Sequence, residues 1–119
     1  MKTHTSQLLN PGEKIHVIHR RHFEKDPRRH FVGQVESYEN GIARASGHVF
    51  VVDDFNKHMF VKRPDRRTKL IPIGSGEVIV NVIPEDTDLE RVHYELKDRT
   101  LHVTDGKSWR IDVKEFGWG

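Results

Sequence analysis

A chain of 119 residues and 13.9 kDa has material for one hydrophobic core rather than two. Its 20 Lys and Arg nearly balance 18 Asp and Glu, leaving +2 with nine neutral His, while six Phe, two Trp, two Tyr and thirteen Val argue against a disordered chain. No apolar run approaches the ~20 residues that span a bilayer, residues 1–12 lack the pattern of a signal peptide, and the absence of Cys removes disulfides, thiolate catalysis and cysteine-based zinc sites. The expectation is a cytoplasmic protein with no membrane association.

Thirteen Val and eight Ile outnumber six Leu and two Ala, so the apolar inventory favours pleated strands over helices. Residues 1–12 are expected to form a flexible arm ahead of a single β domain over 13–119, with Leu8 and Leu9 able to pin the arm to the body. A first strand is expected from Lys14 to about Arg20. The next is a hairpin around Asn40-Gly41, the strongest short hairpin signal available. A two-residue turn there pairs Phe31 with Phe50, Gly33 with His48 and Val35 with Ser46, and Gly33 and Gly47 would ease a bend. Over residues 31–52, with Gly33, Asn40-Gly41 and Gly47, the sequence resembles the hairpin of small SH3-like or Sm-like barrels. That resemblance covers under a fifth of the chain and transfers no residue roles.

Further strands are expected at 59–62, 68–73 and 78–83. The last, Val-Ile-Val-Asn-Val-Ile, is apolar enough to predict burial on both sides. Gly74-Ser75-Gly76 before it reads as a hairpin turn and lacks the Gly-x-Ser-x-Gly pattern of a serine nucleophile. Residues 88–91 fit one helical turn capped by Asp86 or Thr87. From Val92 to Val113 apolar and polar residues alternate, which predicts a three-stranded meander with one buried face. Asp98-Arg99 sets Leu96 opposite Leu101, and a three-residue loop at 105–107 sets Val103 opposite Trp109. Leu96, Leu101, Val103, Trp109 and Ile111 are then hidden together. The whole predicts an all-β fold of about eight antiparallel strands, closing as a small barrel or barrel-like sandwich.

Charge is divided unevenly: residues 1–76 carry fourteen basic and eight acidic side chains, whereas residues 77–119 carry six basic and ten acidic. Arg20, Arg21, Lys25, Arg28 and Arg29 flank one expected bend, and Lys62, Arg63, Arg66, Arg67 and Lys69 flank another. Long cationic side chains converging at bends suit a polyanion such as single-stranded nucleic acid, with Phe23, Phe31 and Phe60 available to stack on bases. The same charges would serve solubility, or would steer the basic half of one subunit onto the acidic third of another. His16, His19 and His22 have the three-residue spacing of a helical metal site, but on a strand His19 faces away from the other two. His16, His58, Asp53 and Asp54 are the remaining candidates for metal or acid–base chemistry. Asp53 and Asp54, being adjacent, form a carboxylate pair only in a loop. The composition therefore points to a non-enzymatic binding module, homo-oligomeric and without cofactor, that contacts a polyanion or protein partner. A structural assembly subunit and a His/Asp metal-dependent enzyme are the alternatives.

Overall fold

The computed structural model describes residues 8–23, 26–52 and 59–113. Within them lie nine strands and no α-helix: β1 (Lys14–His19), β2 (Arg29–Glu39), β3 (Ile42–Val52), β4 (Phe60–Lys62), β5 (Arg67–Pro72), β6 (Val78–Ile83), β7 (His93–Lys97), β8 (Thr100–Thr104) and β9 (Arg110–Asp112). All pair antiparallel. Strands β1 to β6 form one sheet in the order β4-β3-β2-β1-β6, with β5 also beside β3, and β7-β8-β9 form a second. The first sheet does not close: β6 is one edge and β4 with β5 the other. Among the described residues no helix is long and apolar enough to cross a membrane.

The first sheet has two apolar faces, which a flat sheet with one covering layer cannot satisfy. One face carries Ile15, Val17, Phe31, Val35, Ala43, Ala45, Val49 and Ile71, buried with Leu9 and without a second sheet over them. That face is buried because residues from both edges, Ile71 on β5 and Val78 and Val80 on β6, pack into one cluster with Ile73 from the segment between them, which requires the sheet to curl. The opposite face places Val32, Phe50, Phe60 and Ile83 against Val92, Tyr94, Val103 and Val113 of the meander region. Leu9 is in the core, whereas Leu8 is exposed.

A β-bulge at Glu36 decides which residue joins which core. The turn at Asn40-Gly41 forms as expected, both residues having positive φ, and Tyr38 lies opposite Ala43. Beyond Glu36 the register shifts by one, so Phe31 lies opposite Val49 and His30 opposite Phe50. The expected Phe31–Phe50 pair is thereby separated, one ring going to each core. Gly33 now faces Gly47 directly. A Cβ on Gly33 would meet the Ser46 carbonyl and come within 2.8 Å of the Phe31 ring, and one on Gly47 would overlap the Val32 carbonyl and the Gly33 Cα. The glycine pair lets the two strands approach and gives the Phe31 ring its place.

Strand β6 is buried on neither side for its length, because it is an edge: Ile79 and Val82 are 43% and 55% exposed. Gly74-Ser75-Gly76 is no hairpin, since β5 and β6 pair with different strands. A 3-10 turn at Ile73–Ser75 spans the gap, with the Ser75 hydroxyl donating to the Pro72 carbonyl. The 3-10 turn at Leu89–Arg91 is capped by Asp88, not by Asp86 or Thr87. In the meander Leu96 faces Leu101 as expected, but Val103 faces Ile111, two residues beyond Trp109. The Asp105 carboxylate accepts from the Lys107 and Ser108 amides, and the Thr104 hydroxyl donates to the Trp109 carbonyl, which holds a longer loop. A two-residue shift keeps the face, so Leu101, Trp109 and Ile111 still pack on the second core. Leu96 lies beyond its reach and is 54% exposed.

Substituting Gly47→Ala is expected to cost about 3 kcal/mol or more, because backbone atoms rather than a flexible side chain occupy the space. Urea denaturation measures it, and a loss below ~0.5 kcal/mol would contradict the close approach of β2 and β3.

Candidate functional site

Period-two geometry on the curled face carries more than apolar residues. Its register runs from His19 on β1 to Arg29 on β2, one step beyond the Val17–Phe31–Val49 row. Across β3, Arg67 and Lys69 on β5 lie opposite Gly47 and Ala45. Alternation points all four side chains to the face that holds Phe31. Lys69 reaches over that ring, its Nζ 5.9 Å from the centroid. Strands distant in sequence thus bring His19, Arg29, Arg67 and Lys69 to one end of the concave face.

Their mutual effects show this convergence. Burial, then Arg29 and Arg67, lower the Lys69 ammonium below its usual value. Burial, then Lys69, Arg29 and His30, lower His19 to about 4. Every charge acting on these two groups is positive. His19 Nε2 is buried and has no hydrogen-bond partner among the described residues. Such a cluster is electrostatically unfavourable by itself and attracts an anion.

The other basic residues are placed differently. Lys62 and Arg66 gather near His48, where burial and then Lys62 lower the imidazole against an opposing effect from Glu90. Lys62 bridges Glu90 at 3.5 Å, so this second group is partly neutralised. Arg20 and Arg63 are exposed and Arg28 is half-buried. The Arg21 guanidinium approaches the Asp26 carbonyl at 3.5 Å. Lys25 lies outside the described residues. Of the three expected stacking rings, Phe31 and Phe60 are core residues and offer no face to a base. Phe23 is 73% exposed.

On the other face of the first sheet a polar group is sealed beneath the meander. His16 and His30 are fully buried, and Tyr94 of β7 reaches between them. The Tyr94 hydroxyl lies 2.7 Å from His30 Nδ1 and 3.1 Å from His16 Nε2, and the two imidazole nitrogens are 3.2 Å apart. The Asn81 amide nitrogen lies 3.2 Å from His16 Nδ1. A consistent proton arrangement has Asn81 donating to His16 Nδ1, His16 Nε2–H donating to the Tyr94 oxygen, and the Tyr94 hydroxyl donating to His30. Phe60 packs on both His30 and Tyr94, with centroids 4.3 and 4.5 Å away. Burial, then His30, lower His16 to about 3. The network joins the two sheets through hydrogen bonds that need neutral His16.

The expected metal candidates do not assemble. His16 and His19 face opposite sides of β1, and His22 bridges Glu77 at 2.6 Å. Among the described residues no three His, Asp or Glu side chains gather to hold a metal ion. Asp53, Asp54 and His58 lie outside the described residues. The sequence reading missed the partnership of His16 with His30, although both have even numbers on adjacent strands. It also missed the role of His19 beside Arg29. Tyr94 comes from another sheet, and no local signal announces it.

Compared with known proteins, the chain matches no protein-family model, no curated protein and no solved structure.

Replacing Tyr94→Phe keeps the ring and removes the hydroxyl, leaving buried histidine nitrogens short of a partner, and is expected to cost about 1–3 kcal/mol. Acid should act on the same network. The fold holds His16 neutral, with its ordinary 6.5 lowered to about 3, so the unfolded chain binds the extra proton. This contribution is complete above pH 6.5 and is lost on acidification toward pH 3, by at most about 1.4 kcal/mol per pH unit. Denaturation series from pH 8 to 4 would reveal it, and an unchanged midpoint throughout would contradict the buried neutral histidine.

Proposed function

We propose that this protein is a non-enzymatic binding module for a phosphate-bearing polyanion, with single-stranded nucleic acid the leading candidate. The observation that carries the reading is the convergence of Arg29, Arg67 and Lys69 with His19, on a face where the charges acting on His19 and Lys69 are all positive. Arg29 and Arg67 supply planar forks suited to phosphate oxygens, and Lys69 supplies a point charge. Exposed Phe23, in the segment between β1 and β2, is the aromatic surface available to a base.

Fluorescence anisotropy with a labelled oligothymidylate tests this. Three phosphate contacts would give a slope of about −2 for log K against log salt, because single strands release about 0.7 counterion per contact. Arg29→Ala and Lys69→Ala should each weaken binding and make the slope shallower by about 0.7. Binding that ignores salt, or no binding at low salt, would remove the proposal.

A second reading, self-association, is favoured by β6. This edge strand has no charged residue, proline or bulge among its six residues, and Ile79 and Val82 are exposed on it. Edges without such protection pair readily with another strand. On this reading the chain is a dimer in native mass spectrometry at micromolar concentration, and Val82→Lys shifts it to monomer. A wild-type monomer at high concentration would exclude it.

A further inference from the structure

We infer that the concave cationic face takes up a proton together with its anion, and that His19 is the group receiving it. This inference rests on the anion-binding reading above and adds the regulation of that site.

His19 ends β1 on the face that carries Phe31 and Lys69. The groups around it come from three strands. Arg29 lies opposite it on β2, with His30 next in that strand. Lys69 approaches from β5, itself beside Arg67. On the other side β6 presents Val78, an apolar neighbour opposite His19. Glu77 precedes Val78, but its carboxylate is bound to His22 at 2.6 Å. No carboxylate is therefore directed at His19 among the described residues, and its Nε2 is left buried and unpaired.

Without an anion, burial first and then repulsion from Lys69 and Arg29 oppose the protonation of His19, and its pKa lies near 4. An anionic oxygen seated between those cations changes both conditions at once. It offsets the repulsion, and it offers an acceptor to a protonated Nε2–H. Binding thus raises the histidine's proton affinity. By reciprocity, protonation raises the anion's affinity by the same factor. A single proton limits the effect to about tenfold per pH unit, confined to the interval between the free and bound pKa values. Affinity should then climb several-fold per unit on acidification from about pH 6.5 to 5 and be flat above pH 7.5, where His19 stays neutral in both states.

The test uses the full chain with an eight-nucleotide oligothymidylate, whose phosphodiesters keep one charge each across this range, and with inorganic sulfate as a second probe. Calorimetric titration at pH 5.5 in two buffers of different ionisation enthalpy counts protons taken up. The expected result is uptake approaching one proton per site at pH 5.5 and none at pH 8. His19→Gln should lose the uptake at pH 5.5, and its affinity for either probe should no longer change with pH between 8 and 5.5. Histidine NMR on the unmodified protein gives an independent readout: the His19 titration midpoint should lie below 5 when free and rise with the oligonucleotide. Binding without proton uptake, uptake that persists in His19→Gln, or a His19 midpoint unmoved by ligand would each overturn the inference. Absence of binding by either probe at every pH would overturn the underlying anion reading instead. Sulfate binding with uptake but no oligonucleotide binding would preserve the His19 coupling and overturn the polyanion assignment.

Discussion

The close approach of β2 and β3 at Gly33 and Gly47 sets which side chains enter which core. Two glycines face each other where any Cβ would strike backbone. Their meeting is itself a consequence of the single extra residue at Glu36, which shifts the register of the long hairpin. A one-residue slip exchanges the faces of everything beyond it. Here the slip sends Phe31 inward to the curled face and Phe50 to the face under the meander. Both cores follow from that separation.

The curl also explains why charge and burial coexist on one surface. The apolar half of the concave face is filled by short β-branched and small residues around Phe31. Toward one end, the same alternation continues with His19, Arg29, Arg67 and Lys69. Arg29 and Arg67 are exposed there, whereas Lys69 is half-buried and reaches over the ring of a core phenylalanine. Burial and mutual repulsion then depress the proton affinity of both His19 and Lys69. The opposite face resolves its buried polar atoms internally, by closing His16, His30, Tyr94 and Asn81 on one another. One histidine pair is thus hydrogen-bonded within the fold, while His19 is surrounded by cations on the other side of the same strand.

Much of the architecture was legible in the sequence because it is local. The β-branched bias, the Asn40-Gly41 and Asp98-Arg99 turns, and the alternation through residues 92–113 are each read from neighbours along the chain, and they appear as an all-β fold with that meander. Failures came where a distant partner decides. The Glu36 bulge has no signature in the residues beside it. Val78–Ile83 reads as doubly buried, but among the described residues only β1 lies next to it in the sheet. Leu96 fits the pattern of a buried face that ends before reaching it. At the candidate site the cationic residues were visible as clusters in sequence. Their sorting was not: Arg29 joins Lys69 and Arg67 through the curl, whereas Lys62 and Arg66 turn toward His48 and Glu90.

In the curled sheet Lys69 on β5 lies over the Phe31 ring and adds its charge to the surroundings of His19 on β1. Nuclear Overhauser contacts in the free protein examine this directly. Cross-peaks from the Lys69 ε-methylene to the Phe31 ring protons are expected in the absence of any ligand. Contacts of the Phe31 ring confined to Val17, Val49 and their strand neighbours, with Lys69 giving none, would describe a flatter sheet and contradict it.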